Sequence, residues 1–374
     1  MEYDYVTIDT NIITQNGYRL ELGLLAQFRQ FKSGSVKFVL SEIVVREMAR
    51  HMRERAAKAK DAFETAMKNS IEQGLVAPEK QEATRETFSS MPDARDATKS
   101  RIESFLRDTG AEIVRVGNAD MNDLVGNYFS AKPPFERSGK KKNEFPDAIA
   151  LLSMEKWAAE KQQKILAISA DMGWKEFAAT SDWIDVVEDT SKALQLIQDG
   201  IERARILVTE FTQEIASSSN TKDFEQIETA VGDELQSLMI FAEADSYLSV
   251  DVQEVEVQLV VMEFVQDGNG YAFDIVQVGN HKVVVNITVN ASIEADAECY
   301  FYVHDSIDDD EVYMGSSPAS TTSEVQLNVL VSFLVHEADG PDFEIEDVEL
   351  ADTSIDIDFG YVEPEWDEPD NEYT

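Results

Sequence analysis

Cysteine is all but missing from these 374 residues; Cys299 stands alone. A single thiol closes no disulfide within the chain and builds no cysteine zinc site, which fits a reducing, cytoplasmic setting. Histidine is scarce too: of four, only His51 lies in the first half, so a paired-histidine nuclease or zinc hydrolase finds no ligands there. No Gly-x-x-x-x-Gly-Lys-Ser/Thr loop is present to cradle nucleotide phosphates. No apolar run approaches the roughly 20 residues of a membrane span. The opening "MEYDYVTIDT" lacks a basic head and an apolar core, so no secretory leader is expected in it. Positive charge is short as well, but only in one half. Residues 1–190 hold 27 Lys+Arg and 31 Asp+Glu, a balance of −4, whereas residues 191–374 hold 5 and 42, a balance of −37. Adaptation to salt would acidify both halves; this asymmetry points to partners.

What is present suffices for a packed protein. The hydrophobic fraction is 43%, and the length predicts two to three domains. In the first half, β-branched runs alternate with helical spacing. Strands are predicted at "YDYVTID" (3–9), "SVKFVL" (35–40), "AEIVRV" (111–116), "KILAIS" (164–169) and "WIDVVE" (183–188). Helices are predicted over Tyr18–Phe31, from Glu42 to about Gln73 behind a Ser41 cap, over 78–108, near 119–130 and after Pro146. Strands separated by helices predict a parallel sheet covered on both faces. Two helices broken by "SSSNT" (217–221) follow over 190–244, and then the period changes to two. In "SIDIDF" (354–359), Ile355, Ile357 and Phe359 face one way and Asp356 and Asp358 the other. The turns "DGNG" (267–270) and "GN" (279–280) complete the pattern of an antiparallel sandwich or barrel. The expected organisation is an α/β domain over 1–190, a helical connector over 191–245, an acidic antiparallel β domain over 246–362 and a disordered acidic tail over 363–374.

The acids of the first half fall where ligands bind an open parallel sheet, beyond the carboxyl ends of strands. "TIDTN" sets Asp9 and Asn11 at the end of the first strand, and "VVREM" sets Glu47 in the helix after the second. "FPDAIALL" sets Asp147 at a helix start, and "ISADMGW" sets Asp171 just past the fourth strand. Each has a plain alternative: Asp9 and Asn11 as turn formers, Asp147 as a macrodipole partner, Asp171 as a solvated loop acid. Glu42 is a second candidate beside Glu47. Acids brought together would repel; a hard divalent cation, Mg²⁺ or Mn²⁺, offsets that and activates water against a phosphodiester.

These residues resemble the PIN-domain nucleases, whose members include bacterial toxin ribonucleases. The opening Asp-Thr-Asn triplet stands here as Asp9-Thr10-Asn11, and the other three acids match Glu47, Asp147 and Asp171. The likeness covers about residues 3–188. It implies a metal-dependent nuclease, usually an endoribonuclease, with those four acids around Mg²⁺ or Mn²⁺. Beside them Asn11 is read as a supporting group, and Glu42 as a supporting group, a substitute for Glu47 or a plain first-turn acid. RNA rather than DNA is the expected substrate by the same likeness, as in a toxin or defence nuclease.

Cations flank the acids. Arg46, Arg50, Arg53 and Lys60 recur at helical spacing around Glu47, and Arg137, Lys140, Lys141 and Lys142 precede Asp147. Such groups suit a phosphate backbone, although a solvated surface explains any one of them as well. Trp174 reads as a core or lid residue, with base stacking as the alternative. The cluster "DSIDDDE" (305–311) lacks the glycine and spacing of an EF-hand loop. The acidic half repels RNA; it either restrains the nuclease from within the chain, binds a basic protein partner, or keeps a β domain soluble. The competing reading makes the first half a non-catalytic scaffold and the acidic half a protein-binding adaptor.

Overall fold

The computed structural model describes residues 3–77, 80–83, 86, 90–135, 144–198, 201–217, 222–267, 270–279, 282–305, 310–336 and 342–364. It divides into two units, Met1–Ile197 and Gln198–Thr374.

Continuous apolar runs make the sheet of the first unit. Strands β1 (Tyr5–Ile8), β2 (Lys37–Ser41), β3 (Glu112–Val114), β4 (Ile165–Ile168) and β5 (Ile184–Val187) pair in parallel in the order β3-β2-β1-β4-β5. β1 and β4 are buried at every position, as strands covered on both faces must be. The order reverses beside β1, so the carboxyl ends of β1 and β4 flank a switch point. The helices are α1 (Thr10–Gln15), α2 (Glu42–Glu72), α3 (Ala94–Thr109), α4 (Met121–Ser130), α5 (Phe145–Lys161), α6 (Met172–Ala178) and α7 (Thr190–Leu196). All five predicted strands are present. The helix expected over 18–31 is instead two short turns, Gly23–Ala26 and Gln27–Lys32.

Ser41 caps α2 by accepting from the Ile43 N–H at 3.2 Å. Val44, Met48 and Met52, one turn apart each, are its only buried residues, so the first three turns are anchored and the rest runs over the surface. α3 packs along it, capped by Asp93. Arg101 of α3 grips both Glu21 oxygens, at 2.8 and 2.6 Å, and the Tyr18 carbonyl at 2.8 Å.

In the second unit, α8 (Ile201–Ser217) and α9 (Lys222–Leu235) precede the strands β6 (Met239–Asp245), β7 (Ser249–Phe264), β8 (Gln266–Asp267), β9 (Gly270–Tyr271), β10 (Phe273–Val278), β11 (Lys282–Asp305), β12 (Asp310–His336), β13 (Asp342–Leu350) and β14 (Ser354–Tyr361). The expected antiparallel sheet is there, in the order β10-β11-β12-β13 with β7 also paired to β11. β6, in a stretch expected to be helical, pairs in parallel with β14. As expected, Ile355, Ile357 and Phe359 are buried and Asp356 and Asp358 exposed. The residues expected as a connector divide: α7 belongs to the first unit, while Val208, Phe211, Ile227 and Val231 of α8 and α9 join one core with Phe301, Phe333 and Ile357.

The charge imbalance has a physical location. Along β11 the odd residues from Ala291 to Phe301 are buried, which turns Glu294, Asp296, Glu298, Tyr300 and Tyr302 to the other face. Their cross-strand partners include Glu256, Asp251 and Tyr313, and no Lys or Arg. The charge of Glu254, then desolvation, then the charge of Glu298 hold the Tyr300 hydroxyl above its usual proton affinity. Residues 306–309 and the tail from 365 lie outside the described residues. Among the described residues no helix is long and apolar enough to cross a membrane.

Candidate active site

Four chain segments meet at the carboxyl ends of β1 and β4. Asp9 ends β1 and caps α1. It is 5% exposed; Oδ1 accepts from the Thr10 N–H at 2.5 Å, and Oδ2 accepts from the Ser169 hydroxyl at 2.8 Å. Ser169, fully buried after β4, is a hub: its Oγ also accepts from Asn11 Nδ2 at 3.2 Å and from the Asp171 N–H at 3.1 Å. Thr10 reaches the other way, its hydroxyl donating to Glu47 Oε2 at 2.7 Å. Asp171 caps α6, with Oδ1 accepting from the Trp174 N–H at 3.2 Å. Asp147, in the first turn of α5, accepts at Oδ1 from the Trp174 indole N–H at 3.1 Å. Glu47 Oε1, Asp147 Oδ2 and Asp171 Oδ2 have no hydrogen-bond partner among the described residues.

The electrostatics follow from burial. Desolvation, followed among the raising influences by the charges of Asp147 and Asp171, lifts the Asp9 carboxyl from 3.8 to about 7 against the hydrogen bonds from Ser169 and Thr10. Burial likewise lifts Asp147 to about 6, helped by the charges of Asp171, Glu47 and Glu144 and opposed by the Trp174 hydrogen bond. The four acids therefore feel one another.

The remaining predicted residues sort clearly. Glu42 faces elsewhere: the Val116 N–H donates to its Oε2 at 3.2 Å and Arg46 to its Oε1 at 2.5 Å, and these bonds, in that order, hold its carboxyl below the usual range. That pairing also engages Arg46. Arg50 and Arg53 are exposed on α2, with Arg50 beside His51 Nε2 at 3.2 Å. Arg137, Lys140, Lys141 and Lys142 lie outside the described residues. Asn11 belongs to the site, and its Oδ1 is buried with no partner among the described residues. Sequence reasoning names Thr10 only as the middle of the triplet and Trp174 only as a core, lid or stacking residue, and it misses Ser169, for which the one signal is that "KILAIS" ends in a hydroxyl residue.

Residues 6–174 match the family model of the PIN domain. The amino-terminal unit is a PIN domain. No curated protein and no solved structure matches the chain. PIN domains are generally nucleases, acting mostly on RNA, and typically use Mg²⁺ or Mn²⁺. Whether this PIN domain suits such an ion is a question of donor chemistry. Among the described residues no three His, Cys, Asp or Glu side chains form a ready ligand group. The donors are nevertheless all oxygens, the kind hard cations take, and Mg²⁺ keeps several waters and needs only one or two carboxylates. Two carboxyls driven toward protonation and a buried Asn11 oxygen without a partner are what a nearby cation would relieve. The residues fit the ion.

Proposed function

We propose that the chain is a metal-dependent endonuclease that hydrolyses phosphodiester bonds in RNA. The observation that carries this reading is the meeting of Asp9, Glu47, Asp147 and Asp171 through hydrogen bonds shared with Thr10, Ser169 and Trp174. Asp9, Asp147, Asp171 and Glu47 are the groups that would hold Mg²⁺ or Mn²⁺. When bound, the ion supplies charge neutralisation at the phosphate and an activated water. The protein supplies position: Ser169 and Thr10 fix the plane of the Asp9 carboxylate, Thr10 steadies Glu47, and Asp171 is locked by its own cap. Arg50 and Arg53, exposed on the helix that carries Glu47, offer charge to the phosphate backbone without reading sequence. With 5 bases against 42 acids, residues 191–374 add no attraction for RNA, so substrate affinity rests on the PIN domain.

The test incubates purified protein with end-labelled RNA, single-stranded DNA and duplex DNA, each with Mn²⁺ or with chelator. Internal cleavage of RNA that chelator abolishes is the expected result. Intact substrates throughout, together with no thermal stabilisation by Mn²⁺, would remove the proposal.

Gly173 offers a finer check. A Cβ there would lie 3.0 Å from Asp171 Oδ1 and from Pro134 Cβ, and 3.2 Å from the Pro134 carbonyl. The Pro134 backbone yields less readily than the carboxylate, so Gly173→Ala should displace Asp171. Misplacement by about 1 Å costs up to about 100-fold in rate, and a loss of about 10–100-fold in kcat is expected. A variant as fast as the parent would show that Asp171 needs no exact seat.

A further inference from the structure

Trp174 is buried without any exposed surface, packed in the core cluster that includes Leu151, Met154, Ala167 and Phe177. That environment accounts for its rings but not for its nitrogen. A buried indole N–H must find an acceptor, because leaving one unpaired is costly. The acceptor here is Asp147 Oδ1 at 3.1 Å, on a different helix and 27 residues earlier in the chain. The backbone N–H of the same residue donates to Asp171 Oδ1 at 3.2 Å. One residue thus holds two carboxylates from separate elements, through a backbone donor and an indole donor whose ring is fixed by burial.

We infer that Trp174 is a positioning residue of the nuclease site, a clamp that sets Asp147 and Asp171 relative to each other for divalent-cation binding. This rests on the nuclease reading above. The two bonds divide the labour. The backbone donor belongs to the cap of α6 and persists with any side chain at 174. The indole donor exists only with tryptophan and fixes which Asp147 oxygen is occupied, leaving Oδ2 without a partner among the described residues. Phenylalanine fills most of the same volume and removes only the clamp on Asp147. Groups that orient metal ligands in this way carry about 10–100-fold in metal affinity.

The experiment titrates Mn²⁺ into the full chain by calorimetry, without RNA, for the parent, Trp174→Phe and Asp147→Asn, and then measures RNA cleavage. Trp174→Phe should weaken Mn²⁺ about 10–100-fold and lower kcat at limiting Mn²⁺, with KM for RNA little changed. Parent-like Mn²⁺ affinity in a folded Trp174→Phe, when Asp147→Asn has lost binding, overturns the clamp and leaves the nuclease reading intact. A parent that binds no Mn²⁺ and cuts no RNA overturns both. Should Trp174→Phe fail to fold, a benzothiophene analogue of tryptophan at position 174 replaces it. That analogue keeps the ring shape and lacks only the donor; parent-like Mn²⁺ binding by it counts against the clamp, and weakened binding supports it.

Discussion

Asp9→Asn should abolish cleavage and at the same time raise the thermal midpoint of the protein in chelator at pH 7.5. The first effect follows from the proposed role, with a loss on the order of 10³-fold or more expected where a metal ligand and its charge are both removed. The second follows from the buried charge. The Asp9 carboxyl titrates at about 7 in the folded chain against a reference of 3.8, because burial and the acids around it disfavour the ionised form. The folded state therefore holds its proton more tightly than the unfolded state does. Stability falls as pH climbs from about 4 to about 7, and the full penalty is present above that window. An amide at position 9 carries no such penalty, although its single oxygen keeps only one of the two hydrogen bonds that the carboxylate accepts from Thr10 and Ser169. Every tenfold gain in proton affinity on folding corresponds to about 1.4 kcal/mol, and about 1 kcal/mol moves the midpoint of a domain this size by about 2–4 °C. A rise of at least that size is expected, with a shallower fall between pH 5 and pH 7.5 than the parent shows. Asp147→Asn should behave likewise over the window from about 4 to about 6. A lower midpoint for both variants, with the parent's pH slope retained, would mean that these acids stabilise the fold and are not held at its expense.

The second large effect concerns the other unit. Phe211 of α8 stacks on Phe333 of β12, centroids 4.4 Å apart and planes within 20°, and meets the Phe343 edge at 5.4 Å. Phe211 and Phe333 are 1% and 0% exposed. Phe211→Ala should cost about 3–5 kcal/mol and lower the melting transition of the second unit by about 10 °C or more. Cleavage measured below that transition should stay at the parental level. Calorimetry of the full chain reads both. An unchanged transition would mean that α8 is a tether outside the core of the β unit, as its sequence position alone suggests.

What was legible in the sequence was what short windows determine. β1, β2, β4 and β5 are β-branched runs between helical stretches, and their paired acids fall at segment ends that an open sheet exposes. Ser41 and Gly74 bracket α2 as a cap and a left-handed stop, the latter with φ of 75°. Glu42 and Glu47 could not be separated so simply: both sit early on one helix, and the burial of Val44 and Met48 decides which side each faces. The Trp174–Asp147 bond spans 27 residues and leaves no periodic trace. In the second half, Met239–Asp245 follows a helix without a breaker such as proline, and its partner in the sheet lies more than 100 residues later. β12 runs through Gly315 and Pro318, residues that ordinarily mark turns, because the 24-residue β11 beside it enforces extension.

α2 is far longer than its anchored part. Glu47 sits between Val44 and Met48, within the turns seated on the core, while about twenty further residues continue past Met52 with no buried side chain. Substitutions on the exposed side of those later turns, away from α3, therefore leave the carboxylate where it is. Evolution has room on that exposed side to reshape what the protein touches without moving the acids it would cut with.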